Sequence, residues 1–288
     1  MLTIHAPAKL NLTLEVLGKG ADGYHEIRSV VQAIDMCDTL RFQENSQTVF
    51  LSSMPGWIVE ESLVSKATTL LRDVTGCITG ASIEVDKRIP LLSGLGGDSS
   101  DAAAVLLGLN RLWELDLSQE KLLGLAPELG SDVAFFLHGG TALMEGRGDV
   151  VIPLPPLSET WIVLAVPAVP REPGKTARAY AGLKESDYTD GRYANRVTDV
   201  LRTGGRLEPA MLFNVFERTI FNSHPGISEC RQKMMTADAD NIHLAGSGPA
   251  LFTLAGDGAM AEGLYSRLRQ QGMEIYLVKT LATRDQLD

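Results

Sequence analysis

The residues best suited to chemistry lie in a glycine-rich run, PLLSGLGGDSS, followed by the apolar helical pattern of Ala102, Ala103, Val105, Leu106 and Leu109. Gly94, Gly96 and Gly97 thus sit where a loop delivers the chain into a helix amino terminus. Such a loop offers backbone N–H groups and the positive end of a helix dipole to an anion, so it is a candidate phosphate cradle. A merely tight turn would use the same glycines. Known nucleotide fingerprints fail on spacing. The Gly174-Lys175-Thr176 triplet has Val169 where Walker A needs its first glycine, and GxGxxG fails at Gly94 and Gly246, where Ser99 and Leu251 occupy the last position. No HRD or DFG triplet marks a protein kinase. Cys37, Cys77 and Cys230 form no CxxC, and the 5 histidines form no HxxxH or HExxH, so disulfide and zinc frameworks are excluded.

The elements that must position this loop follow from periodicity. Ala8, Leu10, Leu12, Leu14 and Val16 alternate with Lys9, Asn11, Thr13 and Glu15, which predicts a strand with one buried face and ordinarily leaves Lys9 and Asn11 in solvent. Leu63, Ala67, Leu70, Leu71 and Val74 predict a helix, Ile83 and Val85 a strand, and residues 99–113 a helix. Lys87, at a strand end before the loop, either reaches a phosphate or is solvated. Pro153, Pro155 and Pro156 interrupt both helix and ladder pairing and suggest a boundary between domains at 1–155 and 156–288. Beyond it we expect a strand over Trp161–Val166, helices around 211–221, 225–235 and 260–270, and a final strand over 274–278. The mixed order predicts an α/β or α+β fold.

Composition narrows the function classes. In 288 residues, 26 Lys plus Arg against 36 Asp plus Glu give a formal charge of −10, and no basic tract could neutralise a row of phosphates. Nucleic acid and anionic membrane surfaces are therefore unexpected partners. MLTIHAPAKL lacks a signal-peptide pattern and no apolar run approaches a membrane span, so a cytoplasmic protein is expected.

PAKLNLTL (7–14), PLLSGLGGDSSDAAA (90–104) and GSGPALF (246–252) resemble, in order, the three motifs of the GHMP small-molecule kinases. Four further segments, ADGYHEIRSVVQAIDMCDTL, GSDVAFFL, ALMEGRGD and FNVFE, are similar to the branch acting on 4-diphosphocytidyl-2-C-methyl-D-erythritol. The resemblance implies a two-lobed α/β kinase with its site between the lobes. It also implies transfer of the ATP γ-phosphate to the tertiary 2-hydroxyl of that acceptor in the non-mevalonate isoprenoid route, with Mg²⁺ bridging phosphate oxygens. The alternatives are another acceptor of the homoserine or mevalonate type, or a catalytically silent nucleotide-binding module.

Residue by residue, the resemblance implies that Lys9 and Asp132 face the acceptor hydroxyl. A carboxylate can take the hydroxyl proton while an ammonium keeps it ionised. Asp132 otherwise precedes apolar VAFFL, where an aspartate ordinarily caps a helix. Pro90, Leu91, Leu92, Ser93, Gly94, Leu95, Gly96, Gly97, Asp98, Ser99 and Ser100 would form the phosphate loop, with Ser99, Ser100 and Asp101 supplying cap groups and phosphate or metal contacts. Asn11 would orient the acceptor, and Tyr24, His25 and Tyr180 would hold its cytosine. Ser62 stands where the family often has an adenine-contacting asparagine. Asp98 replaces a usual glycine. At ~5 Å from a phosphate charge and an effective dielectric of about 20 it would cost about 3 kcal/mol, roughly 100-fold in binding. Its side chain is therefore expected to point outward, the alternatives being a Mg²⁺ ligand or weakened ATP binding.

Overall fold

A long strand pair organises the molecule, whose computed structural model describes residues 1–170 and 174–283. β1 (Leu2–Asn11) and β2 (Thr13–Lys19) run antiparallel to β3 (His25–Asn45). The other edge of β3 takes β5 (Gly80–Asp86) and β6 (Thr141–Glu145). β4 (Val49–Ser52) adds parallel to β5, and β7 (Val150–Pro153) antiparallel to β6. Helices α1 (Leu63–Thr75), α2 (Gly97–Leu112), α3 (Gln119–Leu129) and α4 (Val133–His138) belong to this half.

β8 (Trp161–Val166) then starts a second, antiparallel sheet with β10 (His243–Leu244), β11 (Leu251–Ala255) and β12 (Glu274–Lys279), in the order β10-β11-β8-β12. This half of the chain also carries α5 (Lys175–Ala181), α6 (Arg192–Arg202), which packs on β2 and β3, α7 (Glu217–Ser223), α8 (Pro225–Thr236) and α9 (Gly258–Gln270), which packs on the second sheet. The fold is mixed α/β. Proline-rich residues 154–160, where the domain boundary was expected, connect β7 to β8.

The connection does not separate the two halves of the chain. β9 (Phe213–Asn214) joins β2 in parallel, Thr280 bridges Ile34, and Leu10, Leu12 and Ile34 share a core with Ile162, Leu164 and Phe252. The helix expected around 211–221 is accordingly broken, because main-chain pairing with β2 claims Phe213 and Asn214 before α7 begins.

Two local features prepare the site. β1 carries a bulge at Pro7/Ala8, where proline brings no N–H to the ladder, and beyond it Lys9 N–H is donated to the Leu95 carbonyl at 2.9 Å. Lys9 and Asn11 are only 5% and 6% exposed, so the alternation along this strand separates core from site rather than core from water. Helix α2 is buried on nearly every side, and its alanines and Gly108 permit close approach to the sheet.

A Cβ at Gly108 would lie 2.5 Å from the ring of Phe42, itself fully buried. Gly108→Ala should therefore lose more through overpacking, about 1–3 kcal/mol, than the roughly 1 kcal/mol of helix propensity it gains. A lower urea midpoint is expected. A midpoint at or above wild type would show that Phe42 yields.

Candidate active site

The glycine-rich loop is held by backbone contacts that leave no room for side chains. Gly94 (φ +92°) lies against the 244–250 turn, and a Cβ there would stand 2.1 Å from the Ala245 carbonyl. Gly96 (φ +76°) lies against the Phe136 ring and the Lys9 side chain. Ala250 N–H donates to the Ser93 carbonyl at 3.0 Å, stitching the second motif to the third. Between loop and helix opens a cavity of about 330 Å³, lined by residues 90–94 and 96–99 with Lys9, Asn11, Lys87 and Asp132. Of the loop residues expected to bind phosphate, Leu95 and Ser100 are outside this lining. Leu95 turns its side chain into the core and offers its carbonyl to Lys9, while buried Ser100 already belongs to the helical turn closed on Gly96.

Beneath the loop lies a buried charge cluster. Lys87 is not solvated: its Nζ donates to Asp38 Oδ2 at 2.6 Å and Asp101 Oδ2 at 2.7 Å, all three side chains being essentially inaccessible. Asp38 Oδ1 also accepts the N–H groups of Arg88 and Ile89, pinning the chain as it enters the loop. Burial opposes the Lys87 charge, but the carboxylates of Asp101, Asp38 and Asp98 outweigh it and raise its pKa. Burial likewise holds Asp101 well above the usual carboxylate value, against the pull of Lys87.

Asp98 departs from its expected outward orientation. It lines the cavity, half-exposed, with Oδ1 turned inward to 3.7 Å from Lys87 Nζ. The ammonium beneath the loop is the attraction that turns it. Asp101 was expected to serve as a cap group or a phosphate or metal contact, and Asp38 carried no sequence signal at all, since acidic residues far apart in the chain give no sign of sharing one lysine.

The candidate catalytic pair is assembled from strand and helix. Asp132 precedes α4 at its cap position, yet its backbone is helical and its side chain makes no capping hydrogen bond. Its Oδ2 instead lies 3.3 Å from Lys9 Nζ. Lys9 Nζ donates to Asn11 Oδ1 at 2.8 Å, and Asn11 Nδ2 donates to Ser29 Oγ at 2.8 Å. The third motif closes over this group. Asn214 Nδ2 donates to the carbonyls of Leu244 (2.8 Å) and Gly246 (2.7 Å), which gives the FNVFE segment its structural task.

A second cavity, of about 540 Å³, adjoins the first and shares Ser99, Asp132, Thr176 and Tyr180 with it. His25 and Tyr180 stack here with ring centroids 5.3 Å apart, and Phe216 meets Tyr180 edge-on. Tyr24 lies on the exposed rim with the Arg147 guanidinium over its ring. Burial, then the Asp132 carboxylate, raises the Tyr180 hydroxyl pKa, while burial, then Lys19, lowers that of His25. Ser62 is not among the cavity residues. Its hydroxyl caps α1, accepting from Val64 N–H and donating to the Val59 carbonyl.

A strand lysine, a pre-helical aspartate and a glycine loop on a helix amino terminus, together in one cleft, define a small-molecule kinase of the GHMP class, and residues 62–140 match the GHMP kinases N terminal domain. A homoserine kinase from Cytophaga hutchinsonii shares the fold, with a TM-score of 0.72 at 18% identity over 98% of this chain and 95% of the other. The 4-diphosphocytidyl-2-C-methyl-D-erythritol kinase of Dehalococcoides mccartyi is 47% identical over 99% of this chain and 100% of its own length. That of Symbiobacterium thermophilum is 38% identical over 97% and 100%. A crystal structure of 4-(cytidine 5'-diphospho)-2C-methyl-D-erythritol kinase superposes with a TM-score of 0.82 at 29% identity, covering 97% of this chain and 99% of that one. The chain belongs to the 4-diphosphocytidyl-2-C-methyl-D-erythritol kinase family.

Two outcomes follow from this geometry. Lys87→Met leaves two carboxylates buried without their cation and should cost about 3–5 kcal/mol. Because Asp101 has a raised pKa when folded, the folded protein binds more protons than the unfolded chain above pH 3.8, so stability falls as pH rises. The variant's deficit should shrink on acidification, as denaturant titrations at several pH values would show; a deficit independent of pH would contradict this. His25, its pKa lowered by burial and then by Lys19, should be less protonated than a free imidazole at any given pH; a ring titration followed by NMR with a midpoint above 6.5 would contradict this.

Proposed function

We propose that this protein transfers the γ-phosphoryl group of ATP to the 2-hydroxyl of 4-diphosphocytidyl-2-C-methyl-D-erythritol, giving the 2-phosphate and ADP. The observation that carries the reading is the position of Asp132, which lines both cavities and faces Lys9 Nζ at 3.3 Å. One cavity has the backbone donors for a triphosphate. The other has the stacked aromatic rings for a cytosine. The reacting oxygen and phosphorus would meet at their common wall.

In this mechanism Asp132 accepts the proton of the tertiary hydroxyl as its oxygen attacks the γ-phosphorus. Lys9, paired with that carboxylate, offsets charge on the transferring group. Asn11 Oδ1, accepting from Lys9 Nζ at 2.8 Å, holds the ammonium in place. The first-turn N–H groups of α2 have no intrahelical acceptors and are free to bind phosphate oxygens.

An oxygen donor suited to Mg²⁺ is present in Asp98, which lines the first cavity and whose Oδ1 has no hydrogen-bond partner among the described residues. No group of three or more His, Cys, Asp or Glu that could hold a metal occurs among the described residues. When bound, Mg²⁺ would supply positive charge to the phosphates of ATP. Asp98 is the residue that would hold it.

We further propose the other partners and the setting. The protein acts on small molecules without nucleic acid or membrane, and among the described residues no helix is long and apolar enough to cross a bilayer. His25, Tyr24 and Tyr180 bind the cytosine end and distinguish this acceptor from homoserine or mevalonate, which have no base to stack.

The test is ADP release with Mg²⁺-ATP and each of the three acceptors, with the product identified by mass. Turnover confined to the cytidylated acceptor is expected; turnover confined to homoserine or mevalonate would overturn the assignment. Asp132→Asn should lower kcat by roughly 10²–10⁴-fold. It should leave the fold intact, because no capping bond is lost. A near-wild-type rate would remove Asp132 from the role of base.

A further inference from the structure

We infer that Ser29, through the amide of Asn11, is a positioning residue for the Lys9 ammonium. This inference rests on the reading of Lys9 and Asp132 as the catalytic pair.

Ser29 lies on β3, fully buried, opposite the gap at Leu12 where β1 gives way to β2. Its hydroxyl donates to the Thr13 carbonyl, and Thr13 Oγ1 in turn accepts from Val30 N–H at 2.9 Å. With its proton committed to a carbonyl, the Ser29 oxygen faces Asn11 as an acceptor. It receives the Asn11 Nδ2 hydrogen at 2.8 Å.

This settles which way the Asn11 amide faces. An amide has a donating end and an accepting end of nearly the same shape, and its orientation is decided by the partners around it. With Nδ2 held by Ser29, Oδ1 faces Lys9 Nζ at 2.8 Å, and Lys9 Nζ in turn stands 3.3 Å from Asp132. Turned the other way, the amide would aim an N–H₂ group at an ammonium 95% shielded from water, a juxtaposition of donors without an acceptor between them. Ser29 therefore selects the amide orientation that anchors Lys9 beside the base. It touches neither cavity itself.

The experiment compares wild type, Ser29→Ala, Ser29→Thr and Ser29→Cys as full-length proteins. Steady-state kinetics with Mg²⁺-ATP and the cytidylated acceptor are measured beside thermal unfolding. Ser29→Ala should lower kcat by roughly 10- to 100-fold, the scale that a misplaced catalytic group costs, with KM for ATP unmoved. Ser29→Thr, which keeps the hydroxyl, should recover most of the loss. A folded Ser29→Ala protein with wild-type kcat overturns the inference, as does a variant whose KM for ATP deteriorates in step with kcat. If Ser29→Ala does not fold, the nearly isosteric Ser29→Cys, a far weaker hydrogen-bonding group, is read against the same two outcomes. Failure of the wild-type protein to turn over this acceptor would instead remove the functional reading and the inference with it. Wild-type turnover with an unaffected Ser29→Ala removes only the inference.

Discussion

The burial of Lys87 between Asp38 and Asp101 ties together three parts of the chain. Asp38 belongs to β3, Lys87 follows β5, and Asp101 lies in the first turns of α2. A charge removed from water this completely is tolerable only when its partners are near and well oriented, so the cluster is specific in geometry even where its net stabilisation is modest. The glycine loop spans the interval between Lys87 and Asp101. Its two ends are therefore fixed to the sheet, and the α2 amino terminus is aimed into the cleft. Asp98 fits the same field: a carboxylate in a phosphate loop would face repulsion from a nucleotide, but here an ammonium stands beneath it.

The cleft is polar chemistry built on a strand that is apolar on its other face. β1 buries Ala8 and Leu10 in the shared core, with Leu12 just beyond its end, and the alternating residues Lys9 and Asn11 are buried too. What would be a solvent face in an ordinary half-buried strand is covered here by the glycine loop, the 244–250 turn and the Asp132 segment. Lys9 consequently makes its hydrogen bond and its ion pair in a shielded setting, where both count for more than in water. The third motif contributes no charge. Its glycines allow backbone to approach backbone, and Asn214 holds the turn in that position.

Much of this was legible along the chain. Period-two alternation marked the first strand, helical spacing marked α1, α2, α8 and α9, and three ordered motifs carried the kinase resemblance. The orientation of Asp98 was not legible, and local pattern alone would also leave Lys9 and Asn11 in solvent, Lys87 at the surface and Asp132 as a helix cap, because it assigns a polar residue to water or to its nearest backbone; for Lys9, Asn11 and Asp132 the ordered motifs overrode it. For Lys9 and Lys87 the deciding partners are distant in sequence: Asp132 for the first, Asp38 for the second. The helix expected around 211–221 failed for the same reason, since Phe213 and Asn214 pair with a strand some 200 residues earlier.

By itself, then, the amino-acid sequence determined the kinds of groups available: a glycine loop able to approach phosphate, a lysine and an aspartate able to move a proton, and aromatic residues able to stack on a base. These are properties of residue type and short spacing. Tertiary structure alone decided which carboxylate meets which ammonium, that His25 and Tyr180 face each other, and that Asn11 meets Ser29. Hydrogen bonds and ion pairs act over about 3 Å, and residues far apart in the chain reach that distance only after the sheets and helices have packed.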